Sequence, residues 1–201
     1  MYNDGMLPLP EKQIMSASLA LAQAFQHDPL FIYFFPAQAA RQQLTRHIFE
    51  LQIRQGLLVA GTFTTSAKTE GVIITLPSEK IELDFRALLK VRAGSLLRHI
   101  PLGTLARMAR VDRELSALRK RNAPQHYVYL TLLGVQPAFQ GQGHAGRLLK
   151  TLLSGLDAGG KTCYLETENQ RNVSFYQTFG FRLLEKADLA DGVPCWAMLR
   201  D

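Results

Sequence analysis

The apolar positions of this chain repeat first with the period of a helix and then with that of a strand. They fall at helical spacing over residues 14–25 and again over 44–53, where Gly56 offers a C-terminal stop. The runs 57–63 and 71–76 are rich in β-branched and other apolar residues and flank a polar segment. The pattern therefore predicts two helices followed by a β-hairpin.

Residues 77–124 return to a helical pattern, with Gly94, Pro101 and Gly103 as expected breaks. They include the most basic stretch of the chain, 107–121, where acidic and apolar residues alternate with the basic ones at helical spacing. This is typical of a solvated amphipathic helix. Nucleic-acid binding is not expected, because no aromatic or motif signature accompanies the charge.

The second half of the chain alternates strands and helices. Residues 145–156 place their apolar side chains on one stripe, which predicts an amphipathic helix packed on a sheet. The other predicted elements are a strand at 126–135, a strand at 162–167, a short helix at 171–179 stopped by Gly180, and two strands at 181–185 and 194–200 around an Asp191-Gly192 turn.

Length and composition narrow the class of protein. A chain of 201 residues, 47% hydrophobic and 20% charged, fits one compact domain spanning residues 1–201. No apolar run reaches the roughly 18 residues of a membrane span, and the N-terminus lacks a signal pattern, so we expect no membrane partner and a cytoplasmic location. The formal charge of +6 indicates an anionic partner, either nucleic acid, a membrane surface or a polyphosphate cofactor.

The two cysteines, Cys163 and Cys195, each lie in an apolar strand-like run. This placement favours two buried thiols over a disulfide or a metal site, and no metal is predicted.

Two glycine motifs resemble sequences that bind nucleotides. Residues 155–162 match the phosphate-binding pattern G-x-x-x-x-G-K-[ST], but a helix precedes them and a strand follows, the reverse of what that loop requires. Gly141, Gly143 and Gly146 match the dinucleotide pattern, follow a strand and precede Glu166 by about the expected ~20 residues. Two features count against a dinucleotide site: residues 136–140 separate the strand from the turn, and too little chain follows Glu168 for further βαβ units. The last two predicted strands form an antiparallel hairpin instead.

A longer motif accounts for the same glycines. Over residues 133–145, Gln140, Gly143 and Ala145 fit the pattern Q/R-x-x-G-x-G/A, which resembles the cofactor motif of the GNAT superfamily of N-acetyltransferases. Amides without bulky side chains at a helix N-terminus form an anion site, and glycine permits close approach of the pyrophosphate of coenzyme A.

A second motif follows at the proper distance. Asn169, Tyr176 and the pair Gly180-Phe181 are similar to the N-x-x-x-x-x-x-Y-x-x-x-G-F signature that closes GNAT cofactor sites. The resemblance extends over about 71–199, and the run Leu165-Glu166-Thr167 with the residues after it looks particularly like the puromycin N-acetyltransferase branch. It implies an α/β (α+β) GNAT fold: a mixed, mostly antiparallel sheet flanked by helices and splayed at the cofactor site, with residues 1–56 and 77–124 contributing to the acceptor site.

The resemblance implies acetyl-CoA as cofactor and transfer of its acetyl group to the primary amine of a small molecule by direct attack. Tyr176 would be the general acid that protonates the leaving thiolate, unless it only packs in the core. Glu166 would take the amine proton or else lie on a solvated strand face, and Glu168 and His126 are alternatives. The implied cofactor-binding residues are Leu133, Gly134, Val135, Gln140, Gly141, Gln142, Gly143, His144, Ala145, Asn172 and Tyr176.

Several alternatives stay open. Gly134 within a strand pattern predicts a bulge or close approach of a ligand, and Asn172 would bind the cofactor or cap its helix. Peptide or protein N-acetylation and a non-catalytic coenzyme A-binding module are the alternative functions. Residues 31–35 and 77–121 are apolar and basic, which disfavours highly cationic acceptors such as polyamines. The sequence also leaves open whether the chain forms a homodimer.

Overall fold

The computed structural model describes residues 5–82, 85–91 and 93–201. The helices are α1 Ile14–Ala24, α2 Pro29–Phe34, α3 Gln38–Leu58, α4 Phe85–Lys90, α5 Gly94–His99, α6 Leu102–Asn122, α7 His144–Ala158 and α8 Gln170–Gln177. The strands are β1 Leu7–Pro8, β2 Thr62–Thr64, β3 Gly71–Pro77, β4 Val128–Val135, β5 Cys163–Thr167, β6 Arg182–Leu189 and β7 Val193–Arg200. Within these ranges, no helix is long and apolar enough to span a bilayer.

These strands form one mixed sheet in the order β1-β2-β3-β4-β5-β7-β6. Every neighbouring pair is antiparallel except β4 and β5, which run parallel. The predicted fold class, a mostly antiparallel mixed sheet flanked by helices, is confirmed. The antiparallel end of the sheet also excludes the dinucleotide hypothesis, which needs further parallel strands.

The sheet opens between its two parallel strands. β4 and β5 are paired only at Val128 with Cys163 and at Tyr129 with Tyr164. β4 nevertheless continues to Val135, paired on its other edge with β3, and β5 continues to Thr167. The facing edges beyond these two pairs therefore diverge, and the predicted splaying of the sheet is confirmed.

Helices cover both faces of the sheet. On one face α1, α3 and α6 bury side chains such as Leu21, Phe49 and Leu118 in one core that also includes alternate residues of β3. On the other face α7 buries its predicted apolar stripe, including Leu148 and Leu152, against the intervening strand residues. The cleft between β4 and β5 is thus enclosed by two hydrophobic cores.

The predicted stop at Gly56 is wrong, because α3 continues to Leu58 and the strand expected from residue 57 is only Thr62–Thr64. A Cβ at Gly56 would collide with Thr62 Oγ1 and would lie 2.7 Å from Ile74 Cγ2. Gly56 is therefore required by the packing of α3 on β2 and β3. Gly94 and Pro101 do stand at the starts of α5 and α6, but Gly103 lies inside α6.

Arg41 holds the chain around α2. Its buried guanidinium donates to three carbonyl oxygens, those of Phe35 at 2.7 Å, Gln26 at 2.8 Å and Pro36 at 2.9 Å. Asp28 caps the N-terminus of α2, because its carboxylate accepts from the Leu30 amide at 3.0 Å, and Pro29 occupies the first helical position. These contacts fix where Asp28 lies.

We expect Gly56→Ala to destabilise the protein by about 1–3 kcal/mol, because the added methyl group overpacks the contact between α3 and the sheet. The control is Gly155→Ala in α7, where an added Cβ meets nothing within 4 Å among the described residues. There alanine should stabilise by about 0.5–1 kcal/mol through helix propensity. Urea unfolding measures both variants. Equal effects would contradict the packing role of Gly56.

Candidate active site

A cavity of about 130 Å³ lies where β4 and β5 diverge. Its polar lining from the two strands and the turn after β5 consists of Tyr129, Thr131, Glu166, Thr167 and Glu168. Helices add Gln52 from α3, Asn172 and Tyr176 from α8, and Asp28 at the cap of α2. Both predicted catalytic residues, Tyr176 and Glu166, therefore reach the same cavity.

Glu166 is held by three donors. Its Oε2 accepts from the Tyr129 hydroxyl at 2.6 Å and from Arg119 at 3.3 Å, and its Oε1 accepts from the Tyr164 hydroxyl at 3.0 Å. The Glu166 and Arg119 side chains are 1% and 9% exposed, so the carboxylate does not lie on a solvated strand face. Burial raises the pKa of Glu166, while Arg119 and the two hydroxyls act to lower it.

Sequence reasoning missed Arg119, because it belongs to a stretch interpreted as a solvated helix face. The sequence does contain an indication that residue 119 is buried. Val111, Leu115 and Leu118 mark the apolar stripe of α6, and residue 119 falls beside it, four residues after Leu115. The basic stretch does form a helix, but Arg119 places a buried charge against Glu166.

Two more carboxylates line the cavity. Burial raises the pKa of Glu168 to about 8, and the negative charges of Asp28 and Glu166 act in the same direction. Burial likewise raises the pKa of Asp28 to about 6, although backbone amides of α2 oppose the shift. The cavity is thus acidic, whereas residues 31–35 and 77–121, which the sequence predicts to line the acceptor site, are apolar and basic.

Tyr176 and Asn172 lie one helical turn apart on α8. Tyr176 is 8% exposed and its ring packs against Phe175 and Phe181, so it is a core residue and a cavity residue at once. Burial raises its pKa above the ordinary value of a phenol. Asn172 does not cap the helix, since Asn169 does so and the Asn172 amide donates to Thr167 Oγ1 at 3.0 Å.

The glycine loop has the geometry of an anion site. Gly141 and Gly143 have φ angles of 75° and 80°, a conformation that side chains rarely adopt. Gly143 caps α7 without a side-chain hydrogen bond from any described residue, which leaves the first helical amides to a ligand. Gln140 donates to the Val135 carbonyl at 3.1 Å and so ties the loop to the end of β4. These residues fit the pyrophosphate of coenzyme A.

Two other side chains of this loop already have protein partners. The Gln142 amide donates to the Ala138 carbonyl at 3.2 Å, and His144 Nδ1 lies 2.9 Å from an Arg147 nitrogen. Their contact with the cofactor, like that of Ala145 and of the main chain at Leu133 and Val135, stays a prediction.

Gly134 is explained by helix packing. A Cβ there would lie 2.5 Å from Leu21 Cδ2 and 2.8 Å from Phe25 Cε2, so glycine is needed for α1 to reach β4. The expected bulge at Gly134 is wrong, since its pairing with Val72 is regular. The irregularity lies three residues earlier, where Thr131 has no partner on β3.

The histidine and the two cysteines considered in the sequence analysis do not line the cavity. His126 is exposed on a separate surface depression near Glu79, so it is not brought to the cavity. Cys163 and Cys195 are both buried free thiols, as predicted, and burial raises the pKa of Cys163 to about 12.

Residues 108–200 match the family described as the acetyltransferase (GNAT) domain. This segment contains most of α6, the splayed strands, the glycine loop and α8. Somewhat less than half of the chain is therefore similar to a GNAT acetyltransferase domain, and the mixed sheet of the structure agrees with that fold.

Solved structures share the fold along nearly the whole chain. An acetyltransferase of Corynebacterium glutamicum, described as histone acetyltransferase HPA2 and related acetyltransferase, is 23% identical with a TM-score of 0.65, covering 98% of this chain and 94% of its own. The polyamine N-acetyltransferase of Drosophila melanogaster, which forms N-acetylagmatine, is 13% identical with a TM-score of 0.63, covering 96% and 97%. Naa50 of Arabidopsis thaliana, bound to the bisubstrate analogue CoA-Ac-MVNAL, is 14% identical with a TM-score of 0.54, covering 98% and 97%.

We expect Arg119→Met to destabilise the protein by about 3–5 kcal/mol, because it leaves the Glu166 carboxylate buried without its cation. Adding Glu166→Gln should recover a large part of the loss. The control is the exposed pair of Arg121 on the same helix with Glu185, whose side chains are 56% and 34% exposed. Arg121→Met should change stability by less than about 1 kcal/mol. Unfolding in urea at neutral pH gives the double-mutant cycle, and additive losses at Arg119 and Glu166 would contradict the coupling.

Proposed function

We propose that this protein transfers the acetyl group of acetyl-CoA to the primary amine of a small molecule by direct attack. The observation that carries the proposal is the divergence of β4 and β5. It joins the glycine loop at the N-terminus of α7 to a buried polar cavity that contains carboxylates and a tyrosine. A thioester arm bound along the open edge of β4 would end at this cavity.

Acetyl-CoA, when bound, supplies the thioester: the amine nitrogen bonds to the acetyl carbon, the carbon–sulfur bond breaks, and the sulfur leaves as a thiol after gaining a proton. The main chain of Leu133, Gly134 and Val135 would hold the arm and the developing oxyanion. The raised pKa of Tyr176 keeps its hydroxyl protonated at neutral pH, so it can act as the proton donor to sulfur. Glu166 lines the same cavity as a candidate for taking the amine proton, directly or through water.

The small cavity supports an acceptor whose amine stands on a short, unbranched stem, as in a small alkylamine, over the branched α-amine of a peptide N-terminus. The space of about 130 Å³ admits an amine and a short stem. Polyamine and peptide acetyltransferases both occur among the structures of similar fold, so the fold does not choose between them. The likeness to the puromycin N-acetyltransferase branch, the cytoplasmic location and a homodimer stay predictions.

We expect Gly143→Trp to weaken acetyl-CoA binding at least ~100-fold, because the indole occupies the space in front of the helical amides and the left-handed backbone disfavours any side chain. Gly160→Trp, at the other end of α7, is the matched control. It also has a positive φ, of 58°, and open space at its Cβ among the described residues. Isothermal titration with acetyl-CoA measures both variants. Loss of binding in both variants, or in neither, would contradict the assignment of the loop.

We expect Tyr176→Phe to lower kcat by about 100-fold and to change acetyl-CoA affinity little, because it removes the proton donor and keeps the packed ring. Tyr33→Phe is the control, since the Tyr33 hydroxyl donates to Asp191 at an exposed site. Release of coenzyme A thiol is followed with a chromogenic disulfide, using panels of small amines and of peptides. A Tyr176→Phe variant with wild-type kcat would show that the residue only packs. Acetylation of peptides alone would favour the alternative acceptor, and acetyl-CoA binding without turnover would favour a regulatory module.

A further inference from the structure

Two buried side-chain oxygens that line the cavity lack a hydrogen-bond partner among the described residues. Gln52 Oε1 and Thr131 Oγ1 are fully buried, and neither has a hydrogen-bond partner among the described residues. Both residues line the cavity, Gln52 from α3 and Thr131 from the irregular point of β4. Buried polar atoms in folded proteins are nearly always paired. Two unpaired acceptors facing one cavity indicate a ligand that brings N–H donors.

Two of the three carboxylates that line the cavity have no positively charged partner among the described residues. Glu166 is neutralised by Arg119. Asp28 accepts from amides at the start of α2, and Glu168 accepts from its own backbone amide and, over a long contact of 3.9 Å, from the Cys195 thiol. Within the described part of the chain, neither Asp28 nor Glu168 has an ion-pair partner. The cavity therefore holds two carboxylates and two oxygen acceptors but lacks a cation for the carboxylates.

We propose that this cavity is the acceptor subsite and binds the primary ammonium group of a cationic small amine, with Glu168 as the group that takes its proton. This inference rests on the proposed acetyl transfer. Asp28 supplies the opposite charge, Glu168 does so once it is ionised above its raised pKa, and Gln52 and Thr131 accept from the N–H groups. A primary ammonium has three such donors, which suits this set of acceptors.

The proton step is balanced within the cavity. One N–H bond of the ammonium breaks, an O–H bond forms on Glu168, and the nitrogen keeps the electron pair that attacks the acetyl carbon. The proton later leaves Glu168 to solvent. Because burial and Asp28 raise the pKa of Glu168 to about 8, it accepts a proton from an ammonium of pKa about 10 more readily than an ordinary carboxylate would.

The other titratable groups around Glu168 favour this assignment. Tyr129 from β4, Tyr176 from α8 and Cys195 from β7 are neutral at physiological pH, because burial raises the pKa of each. Arg119 from α6 is engaged with Glu166. Asp28 and Glu166 are thus the neighbouring charges that act on Glu168.

Cavity size limits the acceptor class. A volume of about 130 Å³ corresponds to roughly four water molecules at about 30 Å³ each. It admits the ammonium group and a short, unbranched stem, while the rest of the molecule lies outside. A carboxylate beside the amine would face Asp28 and Glu168. The class is therefore unhindered primary alkylamines, and free α-amino acids are disfavoured.

Binding without turnover tests the ammonium subsite. The protein loaded with coenzyme A, which carries no acetyl group, is titrated at about pH 9, above the raised pKa of Glu168 and below that of the amine. The ligands are n-butylamine and 1-butanol, which has the same shape without the charge. We expect the amine to bind at least 10-fold more tightly and Glu168→Gln to remove most of that preference. The exposed Glu11→Gln is the control and should leave it unchanged. Equal binding of amine and alcohol to the wild type would overturn the subsite, whereas failure to bind coenzyme A would instead contradict the proposed function.

The pH dependence of kcat/KM tests the proton step. We expect Glu168→Gln to lower kcat/KM for n-butylamine about 100-fold and to flatten its acidic limb, with acetyl-CoA affinity unchanged. Asp28→Asn still caps α2 and removes a negative charge beside Glu168. It lowers the pKa of Glu168 and should shift the limb to lower pH. A normal profile in Glu168→Gln together with a flattened one in Glu166→Gln would overturn the assignment and make Glu166 the base.

Discussion

The divergence of β4 and β5 after a single short stretch of pairing is the constraint on which the rest of the structure depends. Two parallel strands that stayed paired would bury their backbone groups in a ladder and leave no cleft. Here the strands separate after Tyr129 and Tyr164. The hydroxyls of these two tyrosines both donate to Glu166, which is also bound by Arg119. One buried carboxylate therefore links β4, β5 and α6 at the point where the sheet opens.

Packing around the sheet fixes the positions of β4 and β5 on either side of the cleft. Hydrophobic cores on both faces hold the strands, and α1 lies so close to β4 that only glycine fits at Gly134. Arg41 fixes the chain around α2 and hence the position of Asp28. A rigid frame of this kind lets polar groups remain unpaired in the cleft, because they cannot collapse onto one another before a ligand arrives.

The parts of the fold that sequence predicted are those set by local pattern. The apolar stripe of α7, the strand before the glycine loop and the helix that carries Tyr176 follow from periodicity and from two motifs whose spacing reflects their function. Gly143 could be identified because a positive φ at a helix N-terminus favours glycine.

The parts that sequence did not predict are set by contacts between distant segments. Gly56 and Gly134 are glycines because another element packs against them, which no local pattern reveals. The register shift at Thr131 depends on pairing with β3. The acidity of the cavity comes from Asp28, Glu166 and Glu168, brought together across the fold, whereas the composition of nearby segments is basic.

The measurement that tests the account most directly is hydrogen–deuterium exchange of the backbone amides with and without acetyl-CoA. If the cofactor lies along the open edge of β4 and its pyrophosphate meets the start of α7, slower exchange should be confined to residues 132–135, 141–146 and 167–176. Protection elsewhere, or unchanged exchange in β4 at saturating acetyl-CoA, would contradict the claim that the divergence of the two strands is the cofactor site.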